Sequence, residues 1–256
     1  MTLQALADHL APVLDRARYH AEGDPAGIWI ASPRPVRRVG LRLEAGPPPY
    51  DWADGLDAVL IHRPFGLWPA RLPAGVGVLA VHRALDDRLA PGPSLALAAA
   101  LGLDAEAEPL RRDGRSVGLV GRLRPASGAE VTARIVAELG GVEDAVGPEP
   151  ARVEAVALVG AMTDALVREA ASRGAGVYLT GQLRKPGVAA AEQAGVRVLA
   201  VGQDRAEAWG LRHLGALIRE RWPETEIDAS ALPQVGAPPD GPSCDAPPPA
   251  EASGGA

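Results

Sequence analysis

The sequence predicts an α/β protein whose parallel strands are joined by helical crossovers. Three observations carry this reading. The chain has 256 residues with 47% apolar content, enough to bury a sizeable core. Its first half holds short apolar runs of strand length, and its second half alternates such runs with amphipathic helical segments. The length fits one large α/β unit or two small lobes, and the composition excludes disorder of the whole chain.

Thr2 reads as a helix N-cap, and Leu3, Leu6, Leu10, Val13 and Leu14 follow at helical spacing. Pro12 should break or kink that segment. Apolar runs at 27–31, 39–43, 56–61, 76–81 and 117–120 suit buried strands, with an Ala/Leu-rich helix at 94–103. A helix over 127–139 ends at Gly140-Gly141, and Pro148 and Pro150 extend the loop between the halves. Strands at 153–159, 177–179 and 196–201 then alternate with helices at 164–173, 187–194 and 205–221. A short last strand is expected near 226–229. Residues 233–256 are Pro, Gly, Ala, Ser and acid with almost nothing to bury, so a disordered tail is expected there.

Charge and cysteine usage narrow the function. Lys and Arg total 26 against 32 Asp and Glu, and every basic residue but Lys185 is Arg. A globally basic nucleic-acid binder is not indicated. The one cysteine, Cys244, can form no internal disulfide, which makes a reducing cytoplasm the default. Residues 1–14 include Asp8 and His9 and no basic leader, and no uncharged apolar run is long enough to span a bilayer. Neither export nor membrane insertion is expected.

Ligands of open α/β sheets bind beyond the carboxyl ends of strands. Four such places carry polar residues: His62-Arg63-Pro64, His82 with Asp86 and Asp87, Thr180-Gly181-Gln182, and Gly202-Gln203-Asp204 with Glu207. If these ends face one cleft, His62, Asp86 and Glu207 can converge. Imidazole with carboxylates suits a divalent ion of the zinc, manganese or iron class. Pattern alone favours ordinary roles: His62 packing at a strand end, Asp86 in a turn, Glu207 complementing a helix N-terminus. Gly118, Gly121 and Gly160 do not form a dinucleotide loop, there is no P-loop Lys, and no nucleophile elbow occurs. Arg111, Arg112 and Arg115, like Arg122 and Arg124, read as solvated loop residues rather than a phosphate site.

At these strand ends the sequence resembles the NIF three-like family, the dinuclear metal centre proteins often named type-two GTP cyclohydrolase I. Asp57-Ala-Val-Leu-Ile-His62-Arg63-Pro64 is similar to the family's strand ending in His-His-Pro, and His82-Arg-Ala-Leu-Asp86 to its His-Thr-Asn-Leu-Asp. Tyr178-Leu-Thr-Gly-Gln182 resembles its Thr-Gly-Glu, and Gly202-Gln203-Asp-Arg-Ala-Glu207 its Gly-His-x-x-x-Glu. The resemblance implies two related α/β lobes with mostly parallel or mixed sheets and a cleft between them. The lobes would be 1–125 and 126–232, followed by the tail 233–256. It also implies a toroidal homohexamer and two metals on five positions, here His62, Arg63, Asp86, Gln203 and Glu207.

Three of those positions keep a ligand type and two do not. A guanidinium cannot ligate, and an amide oxygen is a poor ligand for zinc. The leading expectation is therefore a divergent, non-catalytic oligomer with an incomplete centre. It would take a small anionic or nucleotide-like ligand in the cleft, drawing on Arg63, Arg205 and Lys185. The alternatives are a metal-dependent hydrolase using one ion on His62, Asp86 and Glu207, and a structural assembly module.

Overall fold

The computed structural model describes residues 1–104 and 107–234. The expected tail beyond residue 234 lies outside the described residues. In the amino-terminal part, α1 (Leu3–Leu14) and α2 (Arg16–Ala21) precede the strands β1 (Ala26–Ile30), β2 (Arg38–Glu44), β3 (Ala58–Arg63) and β4 (Gly77–Val81). The short helices α3 (His82–Arg88) and α4 (Leu95–Ala100) follow, then the hairpin of β5 (Glu108–Arg112) and β6 (Arg115–Ala126). The remainder runs α5 (Gly128–Leu139), β7 (Asp144–Val146), β8 (Val153–Val159), α6 (Asp164–Ser172), β9 (Val177–Thr180), α7 (Lys185–Ala194), β10 (Arg197–Ala200), α8 (Gln203–Arg221) and β11 (Glu226–Asp228).

Two mixed sheets result, ordered β1-β4-β3-β2-β11 and β5-β6-β8-β9-β10-β7. In the first, β11, β2, β3 and β4 are mutually parallel and only β1 is antiparallel. In the second, β8, β9 and β10 are parallel while β5, β6 and β7 pair antiparallel. Sheet membership does not follow the order of the chain strictly. Both strands of the β5–β6 hairpin belong to the second sheet, and β11 returns from the end of the chain to the edge of the first.

That hairpin is the main departure from the expected elements. Arg111, Arg112, Arg115, Arg122 and Arg124 lie on its strands rather than in loops. The turn is Asp113-Gly114, both at positive φ (50° and 75°), the pair that a two-residue hairpin turn favours. Pro12 likewise does not break α1, which runs to Leu14. It sits in the last turn, where little of the helix lies beyond it to disrupt, and the stop comes at Asp15 in the left-handed region. Thr2 caps the other end as expected, its hydroxyl accepting from the Ala5 N–H at 3.1 Å.

β3 and β4 are buried along nearly their whole length because helices cover one face and the 45–76 segment, with Tyr50, Leu56 and Leu67, covers the other. The long helix α8 joins the two halves. Ala208, Leu211, Leu214 and Ile218 enter the core of the first sheet, while Ala206 and Trp209 enter that of the second. A helix buried on two sides holds whatever it carries between them in a fixed place.

Candidate metal centre

β3 delivers His62 and Arg63 at its carboxyl end. β4 passes directly into α3, where Asp86 lies one turn after His82 and so shares its face. Gln203 and Glu207 stand in the same relation on α8. That helix starts from Gly202 at φ 89°, ψ 141°, a conformation that only glycine adopts readily. The second-sheet ends come to the same place. A Cβ on Gly181, just after β9, would lie 2.7 Å from Gln203 Oε1, so no larger residue fits without displacing that amide.

His62 lies at the centre. Its Nε2 is 3.0 Å from Asp86 Oδ1 and its Nδ1 is 3.0 Å from Glu207 Oε2. His62 and Glu207 are fully enclosed (1% and 2% exposed), whereas the Asp86 side chain keeps 33% of its surface. Although these contacts are short, none has the direction of a proper hydrogen bond. Both ring nitrogens, Asp86 Oδ1 and Glu207 Oε2 are thus buried without a well-aligned partner. One donor atom from each residue lies within 4.8 Å of the others, so the group can hold a divalent ion. This is the trio that strand-end reasoning brought together. Asp86, however, belongs to a helix that was not expected there.

Arg63 occupies the neighbouring side of Glu207. Its Nη1 lies 3.3 Å from Glu207 Oε1, and its Nη2 lies 3.3 Å from Asp204 Oδ1. Gln203 donates from Nε2 to Glu207 Oε1 at 2.9 Å, so its amide N–H supports the carboxylate. Arg63 has no lone pair to offer an ion, so it adds a cation and no ligand to the cluster.

The electrostatics follow from the same geometry. Burial alone would push the His62 imidazole down, but the flanking carboxylates of Asp86 and Glu207 outweigh it and raise its pKa to about 9. Burial would raise Glu207, yet His62, Gln203 and Arg63 together hold it below the ordinary range. The His62 imidazole thus lies between the carboxylates of Asp86 and Glu207, while the Arg63 guanidinium lies between Glu207 and Asp204.

Several partners had no signal in the sequence. Asp24, buried ahead of β1, lies 2.8 Å from His82 Nδ1 through Oδ1 and accepts from the Arg83 N–H at 3.1 Å. The His82 ring is 5.4 Å from that of His62. Glu44, 3.7 Å from Arg63 Nε, is likewise brought in only by the fold, whereas Asp204 was one of the strand-end residues. Of the three cations expected to meet an anion in the cleft, Arg63 is paired as described and Arg205 is bound to Glu143 at 2.7 Å. Lys185 sits on the exposed start of α7.

Fold and site define an α/β protein with a His-Asp-Glu cluster at the meeting of two sheets. The chain belongs to the Duf34/NIF3 (NGG1p interacting factor 3) family, whose sequence model matches residues 1–234. A GTP cyclohydrolase 1 type 2 homolog of Allochromatium vinosum is 29% identical over 230 residues, covering 82% of this chain and 88% of that protein. The protein of the same name from Pseudomonas aeruginosa is 27% identical over 246 residues, 87% and 94% of the two chains. Among solved structures, TTHA1606 from Thermus thermophilus superposes with a TM-score of 0.67 at 20% identity, over 90% of this chain and 98% of the other. Reduced HcgD from Methanocaldococcus jannaschii gives 0.63 at 20% identity, over 89% and 97%. The fold is the one these proteins share.

Proposed function

We propose that this is a divergent, non-catalytic NIF3-family protein whose centre takes a single divalent ion of the zinc, manganese or iron class on His62, Asp86 and Glu207. The observation that carries this reading is Arg63, whose guanidinium lies against Glu207 and balances charge that a second ion would otherwise meet. About 4 Å from a divalent ion, a guanidinium repels it by roughly 8 kcal/mol at an effective dielectric near 20.

A bound ion would supply Lewis acidity. The chain's own residues orient the site: Gln203 and Arg63 fix the Glu207 carboxylate, and burial of His62 on β3 holds its ring between α3 and α8. The reading includes self-association, supported by the exposed apolar side chains Ile28, Trp29, Phe65 and Trp68. It also places the protein in the cytoplasm, in keeping with the lone cysteine; no helix among the described residues is long and apolar enough to cross a membrane.

A second reading, metal-dependent hydrolysis, is favoured by the exposed edge of Asp86, which opens the cluster to a substrate, and by the names of the two relatives. Elemental analysis of protein purified without chelator, with a GTP hydrolysis assay on the same sample, separates the two. One ion per chain and no turnover is the expected result. Two ions per chain, or turnover abolished by chelation, would overturn the non-catalytic reading.

A further inference from the structure

The described residues line a cavity of about 660 Å³ on a different face of α3 from the one that meets the His-Asp-Glu cluster. His82 and Asp86 face the cluster; Arg83, Asp87 and Arg88 on the same helix line this cavity. Arg18 enters from α2 and Arg115 from the start of β6, so four guanidiniums gather from three elements distant in sequence.

Their charge is only partly answered. Glu22 is shared by Arg83 Nη2 at 2.9 Å, Arg18 Nε at 3.2 Å and Arg115 Nη2 at 3.8 Å. Arg88 has no acidic ion-pair partner among the described residues and donates from Nε to the Val13 carbonyl at 3.1 Å. The one carboxylate on the wall, Asp87, accepts from the Tyr19 hydroxyl at 3.0 Å. Four cations therefore meet two anions, Glu22 and Asp87. Beside Ser116 and Tyr19, the rest of the wall is apolar, from Leu89, Pro93, Leu95 and Val117, with the ring of His213 kept toward its neutral form by burial.

We propose that this cavity binds an organic phosphate of nucleoside-diphosphate size. Guanidinium forks suit phosphate oxygens, and a partly apolar wall with a flat ring suits the body that carries them. A volume of several hundred Å³ is that of an ordinary small-ligand site. The site is separate from the metal cluster and needs no ion there.

The test is calorimetric titration of the full chain with ADP and, separately, inorganic pyrophosphate, each in excess EDTA and at fixed salt. The expected result is saturable ADP binding unchanged by EDTA, weaker binding of pyrophosphate, and at least a tenfold loss of ADP affinity in Arg83→Ala. Arg115→Gln, at the exposed hairpin, should lose affinity in the same sense, and it keeps the test decisive if Arg83→Ala does not fold. Absence of ADP binding at millimolar concentration overturns the site, as do folded arginine variants that bind like the wild type. ADP binding that requires divalent metal would assign the ligand to the cluster instead. Equal affinity for pyrophosphate would remove the apolar wall from recognition.

Discussion

Arg63 and Gln203 are the two positions that the proposed reading takes as lost ligands, and each directs a donor at Glu207. Replacing both with histidine removes a repelling charge and supplies two imidazoles beside carboxylates already in place. The double variant Arg63→His/Gln203→His should bind zinc or manganese at least tenfold more tightly than the wild type in calorimetry, with affinity rising with pH as the imidazoles shed protons. Equal binding of two ions by both proteins would mean that Arg63 does not block the second position. His62 gives a pH dependence of its own. Its folded pKa, raised from 6.5 to about 9, makes its contribution to stability complete below pH 6.5 and lost as pH climbs through 9. In EDTA, urea unfolding should lose up to about 3 kcal/mol across that window, and His62→Gln should flatten the slope. Saturating metal should oppose the trend, since ligation requires the neutral ring. A wild-type profile that is flat in EDTA would remove the protonated imidazole from the cluster.

At the scale of elements, the site depends on how α8 begins. Gly202 combines positive φ with a Cβ position already occupied by the Glu143 carboxylate. Gly202→Ala should cost about 1 to 3 kcal/mol by chemical denaturation and weaken metal binding with it, because Gln203 and Glu207 shift together. An unchanged midpoint would show that the backbone there relaxes freely. Much of this level was legible in the sequence. Val153–Val159 carries a run of apolar residues bounded by turn signals, and Ser127 with Glu130 forms the capping box that opens α5. The α3 helix was not legible: seven residues beginning directly at the end of a strand, without a side-chain cap, leave too short a pattern for periodicity. The Asp113-Gly114 turn was a readable signal that the arginine-rich flanks obscured.

For the whole molecule, α8 is the shared wall of both cores, and the 226–228 strand ties the end of the described chain to the first sheet. Large side chains left exposed on a protein with so few aromatics, Trp29, Phe65 and Trp68 among them, call for cover. Light scattering at micromolar concentration should therefore return a mass beyond that of a dimer. A mass near 26.4 kDa would remove self-association from the reading. From the sequence by itself came the fold class, most helices and strands, and the trio His62, Asp86 and Glu207, because apolar periodicity and strand-end position are local properties written in order along the chain. Only the tertiary structure decided that Arg63 reaches Asp204 as well, that His82 leans on Asp24, and that Arg18, Arg83, Arg88 and Arg115 share one cavity. Those are contacts between side chains far apart in sequence, and their charges acquire meaning only when packing has fixed the distances and excluded the water between them.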